Sequence, residues 1–289
     1  MSAAYRPEMT SAGLHPTIAV DVMDEYRNIR TQRIADERPL TIYVDSYEIV
    51  TLMTLGMHPE MLALGYLRNQ GLISDLREIL SVQVDWEVNA AAVTTATGRD
   101  DWKDRLGPRI VTTGCGQGTV YGNIQEQLEQ IRIRPLALKQ SEIYALLKNL
   151  AAGNEVYRSA GAVHGCALCS RTQPLIFVED VGRHNAVDAI AGHMWLQGTQ
   201  GADKLFYTTG RLTSEMVMKV GQMGIPALLS RSGITQMGLK LARDFGITLF
   251  SRAQGTHFLV YHGAENIDFD VKLPPKLEVA NLKHKAAAD

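Results

Sequence analysis

PLIFVEDVGRHNAVDAIAGHMWL, Pro174 to Leu196, joins a run of strand formers to a helical pattern through a polar turn containing a single glycine. Leu175 to Val178 are branched or aromatic and suit a pleated, buried surface, whereas Asn185 to Leu196 reads as a helix. The same unit recurs downstream. KLFYTT (204–209) precedes a helix over Ser214–Met223, PALLS (226–230) precedes one over Thr235–Phe245, and ITLFS (247–251) is followed by HFLVY (257–261). Strands alternating with helices of about ten residues predict an α/β layered domain with a largely parallel sheet.

Each of these strands runs into an arginine held in a short polar or glycine-bearing turn. Arg183 and His184 follow Asp180, Arg211 follows Thr209-Gly210, Arg231 and Ser232 follow Ser230, and Arg252 follows Ser251. In an open α/β sheet the carboxyl ends of the strands share an edge where ligands bind. Three of the four turns also open a helix, whose free N–H groups and positive dipole end favour phosphate. Guanidinium groups make forked contacts to phosphate. The pattern therefore predicts a cleft for a multiply phosphorylated ligand. Neither GxGxxG nor GxxxxGK[ST] occurs, so a Rossmann or P-loop site is not supported.

Upstream the texture differs. Ser141 is positioned to cap a helix, SEIYALLKNLAA, that Gly153 ends, and Asn154 to Cys169 reads as a further helix interrupted by Gly161 and Gly165. Pro39–Thr54 reads as a hairpin broken at Asp45-Ser46, Pro59–Asn69 as a helix stopped by Gly71, and Leu80–Val93 as strand, with a charged loop from Gly98 to Pro108. These elements divide the chain into a flexible lead-in over 1–37 with one short helix near 23–33, a strand-rich N-terminal subdomain over 38–133, an α/β ligand-binding domain over 134–275, and a polar tail over 276–289.

Within VTTGCGQGTVYG, Val111 to Gly122, Cys115 lies between Gly114 and Gly116. Glycines on both sides let backbone N–H groups gather around a sulfur anion, which favours a nucleophilic thiolate; a half-buried turn cysteine is the alternative. Three cysteines in 289 residues do not make a disulfide framework, and a reducing cytosol is the natural setting. A net charge of −2 gives no global field for nucleic acid or an anionic membrane, and no run approaches a membrane span, so a soluble cytoplasmic protein is expected. His164, Cys166 and Cys169 invite a zinc hydrolase reading. No glutamate follows His164 at the spacing of the zinc deaminases, and on a helix the two cysteines would share a face as buried small residues, so no metal is expected.

EDVGRHNAVDAI (179–190), TGRLTSEMVMK (209–219), SRSGIT (230–235) and FSRAQG (250–255), with RPLTIYVDSYEIVTLMTLGMHPEMLALGYLRNQGLI (38–73), resemble the formate dehydrogenase accessory sulfurtransferases, the FdhD family. The resemblance implies a cytidine-deaminase-like three-layer domain without zinc, preceded by a smaller strand-rich subdomain, α/β in class and α+β overall. It implies that Cys115 carries persulfide sulfur from a cysteine desulfurase to the bis-molybdopterin guanine dinucleotide cofactor of the formate dehydrogenase catalytic subunit. It implies further that Phe250, Ser251, Arg252, Ala253, Gln254 and Gly255 contact that cofactor, with Arg183, His184, Arg211, Arg231, Ser232 and His164 completing the site and either histidine handling protons. Gly118 stands where many members have a second cysteine, and Ala160-Gly161-Ala162 stands in place of a TGG-type turn. A non-catalytic cofactor-binding chaperone is the alternative. The oligomeric state, a homodimer included, is left open.

Overall fold

The computed structural model describes residues 5–98, 102, 128 and 130–273. The charged loop after Gly98, the whole Val111–Gly122 segment with Cys115 and Gly118, and the 276–289 tail lie wholly or largely outside the described residues. In chain order the first half comprises β1 (Glu8–Met9), β2 (Thr17–Met23), β3 (Ile29–Ala35), β4 (Arg38–Val44), β5 (Tyr47–Thr54), α1 (Pro59–Asn69), β6 (Ile79–Asp85) and β7 (Ala90–Thr95). Asp45 and Ser46 both take positive φ, 48° and 69°, the tight-turn geometry that the β4–β5 hairpin needs at its two central positions. Five of the seven strands form a sheet in the order β1-β6-β7-β4-β5, and β2 and β3 pair apart from it.

The predicted helix at 23–33 is not formed. β2 and β3 pair antiparallel in its place, from Thr17↔Ala35 to Met23↔Ile29. The Asp24 carboxylate accepts from the backbone N–H groups of Tyr26 and Asn28, at 2.9 and 2.8 Å, and Arg27 takes a positive φ of 64°. An aspartate that binds its own downstream backbone closes a turn and so competes with helix.

The second half comprises β8 (Leu138–Lys139), α2 (Gln140–Ala152), α3 (Glu155–Ala160), β9 (His164–Cys169), β10 (Pro174–Asp180), α4 (Arg183–Gln197), β11 (Leu205–Thr208), α5 (Ser214–Gln222), β12 (Ala227–Ser230), α6 (Gln236–Phe245), β13 (Thr248–Gln254), β14 (His257–His262) and β15 (Ile267–Asp268). Six strands form a sheet in the order β10-β9-β11-β12-β13-β14. Only β11–β12 and β12–β13 pair parallel within it, while β9 and β14 run against their neighbours, so the sheet is mixed where a largely parallel one was expected.

The source of that difference is 154–169. Gly161 and Ala162 take φ of 66° and 54°, which ends α3, and HGCALC then enters the sheet as β9. A Cβ on Gly165 would lie 2.9 Å from the Phe177 ring, so a small residue is required there. Ser141 is not the cap of α2 either. The helix starts one residue earlier, Glu142 accepts from the Lys139 N–H, and the Ser141 hydroxyl donates to Asp270.

Alternate residues of the sheet face opposite layers. Cys166, Leu168, Val178, Phe206, Leu228 and Leu249 pack with α4, α5 and α6, whereas Ala167, Cys169, Leu205, Tyr207, Leu229 and Phe250 pack with α2. Helices thus cover both faces. The first apolar cluster also runs through α1 into the five-stranded sheet. Its tightest point is the α1–α4 crossing, where a Cβ on Gly65 would lie 1.7 Å from the Asp188 carbonyl oxygen and one on Gly192 would lie 2.0 Å from that of Met61. Among the described residues no helix is long and apolar enough to cross a membrane.

Candidate functional site

Strands β10, β11, β12 and β13 point the same way, because β9 reverses between β10 and β11. Their carboxyl ends therefore share one edge, and the arginine-bearing turns meet there. The turns are laced together by backbone and hydroxyl groups. Thr208 Oγ1 accepts from the Gly210 N–H at 3.0 Å, and Ser230 Oγ accepts from the Ser232 N–H at 2.9 Å while donating to the Gly210 carbonyl at 2.6 Å. The Arg231 N–H donates to Thr208 and the Arg252 N–H to Ser232, each at 3.1 Å.

Ser251, next in that row, differs. It is fully buried, yet its hydroxyl has no hydrogen-bond partner among the described residues. Arg252 beside it takes a positive φ of 53°, and the register with β14 shifts between Ser251 and Gln254. Arg252 accordingly sits in a bulge inside β13 rather than after its end, and Phe250 to Gln254 are the strand's last residues.

Three of the arginines converge. Arg183 is buried, with its stem packed over Gly210, where an added Cβ would lie 2.7 Å from Arg183 Cδ. Arg211 is exposed, and the Arg231 guanidinium sits 5.4 Å from the centre of the Tyr157 ring. Burial first, then the charges of Arg183, Arg211 and Arg231, hold the His164 pKa below the usual histidine value. His164 Nδ1 is 3.5 Å from the Thr209 hydroxyl. Arg252 is exposed and its guanidinium lies near Gly233. Beside Arg231 a cleft of about 220 Å³ is lined by Tyr157, Arg158, Tyr207, Gln254 and Gly255.

His184 is placed differently from His164. It is half-buried at the start of α4, with Nε2 3.3 Å from Glu215 Oε2. Burial, followed by the charges of Lys219 and Arg183, pushes its pKa down to about 2. The contact is therefore between a neutral ring and a carboxylate, not an ion pair, and the ring is not an imidazolium at neutral pH.

Behind His184 lies a buried charged cluster that the strand-end reasoning missed. Lys219 Nζ is 2.6 Å from Asp188 Oδ2 and 3.6 Å from Glu215 Oε1, and Asn69 of α1 donates to the other Asp188 oxygen at 2.7 Å. The signal was present in sequence, since His184 with Asp188 and Glu215 with Lys219 are each four apart on one helix. Two further carboxylates hold the edge. Glu179 accepts from the N–H groups of Val156 and Tyr157, at 2.8 and 2.9 Å, and so caps α3. Asp180 accepts from the Thr54 hydroxyl, the Leu55 and Gly182 N–H groups and the Asn185 amide, tying β5 to the turn before α4.

Cys166 and Cys169 lie on a strand, not a helix, so at a spacing of three they face opposite layers and cannot grip one ion. Burial pushes the Cys166 thiol up to about 12, and Cys169 is raised by the same cause. Neither is a thiolate at neutral pH.

A mixed α/β protein with an arginine-lined strand edge is the class that fold and site define. Residues 35–268 match the model of the FdhD/NarQ family, and the chain belongs to that family. It is 30% identical over 81% of its length to the sulfur carrier protein FdhD of Listeria monocytogenes, covering 91% of that protein, and 31% identical to the one of Bacillus subtilis, covering 90%. A crystal structure of a candidate formate dehydrogenase accessory protein from Desulfotalea psychrophila matches with a TM-score of 0.70 at 27% identity, over 87% of this chain and 98% of that one.

Proposed function

We propose that this protein is a sulfurtransferase of the cytoplasm. It accepts persulfide sulfur from a cysteine desulfurase on Cys115 and passes it to the bis-molybdopterin guanine dinucleotide cofactor of a formate dehydrogenase catalytic subunit. The observation that carries the reading is the convergence of Arg183, Arg211 and Arg231 on one strand edge around His164, next to the Phe250–Gly255 segment. The sulfur-carrier name borne by relatives in Listeria and Bacillus agrees with it.

In the acceptance step the Cys115 thiolate attacks the terminal sulfur of the desulfurase persulfide. A new S–S bond forms on Cys115, and the old one breaks with its electron pair leaving on the desulfurase cysteine. One thiol suffices for this exchange, so the glycine at position 118 is compatible with it. The arginines bind the pyrophosphate groups of the cofactor, which is substrate here, by charge-assisted hydrogen bonds. Ser232 adds a hydroxyl at the Arg231 turn, and Tyr157 and Gln254 flank the cleft beside it. Handing over the sulfur as sulfide takes two electrons from a thiol reductant. His184 is held neutral beside Glu215, and His164 is left as the ring that exchanges protons at the edge.

Intact-mass measurement after incubation with a desulfurase and cysteine tests the reading. Wild type is expected to gain one sulfur atom, and Cys115→Ala none. A persistent adduct in Cys115→Ala overturns the carrier role, and formate dehydrogenase maturation undiminished by that variant points to a binding chaperone instead.

A further inference from the structure

A second group of ligating side chains lies away from the arginine edge, in the groove between the N-terminal segment and the α1–α4 crossing. His58 immediately precedes Pro59, the first residue of α1, and His193 follows Gly192 on α4. The glycine contact that brings α4 onto the Met61 backbone also brings the two imidazoles together. Their ring centroids are 5.2 Å apart with planes at 76°. Two imidazoles that hold one ion tetrahedrally through nitrogens at about 2.0 Å have centroids on the order of 5 Å apart. His193 Nε2 is buried and has no hydrogen-bond partner among the described residues.

The remaining lining of this groove is soft. Met9, Met57 and Met61 border the same cavity of about 430 Å³ as His58 and His193, with Arg6 and Glu60 also on its wall. Glu60 is already engaged, since its Oε1 accepts from the Thr10 hydroxyl and the Ala12 N–H at 2.7 Å each. Among the described residues no three of His, Cys, Asp and Glu group to hold a metal ion, which leaves a hard or borderline divalent ion short of donors. Two imidazoles with thioethers form a donor set that favours a soft cation, and thioether sulfur selects Cu(I) among the biological metals.

We infer that His58, His193 and the thioethers of Met9, Met57 and Met61 form a binding site for one Cu(I) ion, separate from the arginine edge. Anaerobic titration of full-length protein with Cu(I) against a chromogenic bicinchoninate chelator tests it. Cys115→Ser serves as the background, so that the Cys115 thiol cannot compete for the ion. That background is expected to retain one equivalent of Cu(I), and X-ray absorption at the copper edge to show both nitrogen and sulfur neighbours. His58→Ala/His193→Ala is expected to weaken binding at least a hundredfold. Met57→Leu/Met61→Leu, close to isosteric and less disruptive to packing, is expected to weaken it at least tenfold and to reduce the sulfur contribution. The inference is overturned by absence of the bound equivalent in Cys115→Ser, by unchanged coordination in the methionine variant, by undiminished binding in the histidine variant, or by Zn(II) binding as tightly as Cu(I).

Discussion

Ala162 takes a φ of 54°, in the left-handed region that disfavours any residue with a Cβ. It occupies the last position of the turn where the family resemblance points to TGG. Ala162→Gly is therefore expected to raise stability by up to about 1 kcal/mol, read as a higher urea midpoint at unchanged slope. A lower midpoint would mean the alanine methyl contributes packing that outweighs the strain. The cysteines illustrate what residue identity alone conceals. HGCALC has neither the β-branched bulk that marks a strand nor a period of two, so it reads as a small-residue helix. Its place between β10 and β11 comes from Gly165 fitting beneath Phe177, a contact visible only in three dimensions.

Among the helices and strands, the most constrained contact is the α1–α4 crossing. Gly192→Ala would place a methyl 2.0 Å from a backbone oxygen of the neighbouring helix, where no rotamer change relieves the clash. A loss of about 3 kcal/mol or more is expected in chemical denaturation. The Asp188–Lys219–Glu215 cluster joins α4 to α5 next to that crossing. Lys219→Met removes the buried cation and leaves two buried carboxylates facing each other, so about 3–5 kcal/mol should be lost. Lys219→Met/Asp188→Asn should recover part of that, because Asn69 still bonds the new amide; equal losses in the two variants would contradict the ion-pair account. Element types were largely legible where patterns are long: α1, α4, α5, α6 and the β4–β5 hairpin fall within a residue or two of their sequence positions. The β2–β3 hairpin was not: Ile18, Val20 and Val22 alternate in β2, but Ala19 and Met23 blur the pattern, and β3 is mostly polar and almost wholly exposed.

For the molecule as a whole, the arginine edge was readable because strand ends in a layered fold must share a rim, even though the sheet is mixed. The i, i+4 spacing of the charges behind it is visible in sequence, but their burial is not, since it depends on how the helices pack. The half-buried His184 affects acid stability. Its ring is neutral when folded down to a pH of about 2, whereas an unfolded histidine binds a proton below about 6.5. The unfolded state therefore binds more protons in that window, and stability falls as pH falls, by about 1.4 kcal/mol per pH unit from this ring alone. Unfolding free energies at successive pH values below 6.5 should show this slope, and His184→Gln should reduce it by about one proton. An unchanged slope would mean that the folded ring accepts the proton.

The α1–α4 crossing also sets an order of events during synthesis. Helix α1 is buried on almost every side, and its Asn69 bonds an Asp188 that lies 119 residues further along the chain. At roughly 5–20 residues per second, translation of that interval takes on the order of ten seconds. Until then an apolar helix emerges from the ribosome without the surface that covers it. The final packing of the N-terminal half therefore waits for α4 to be made.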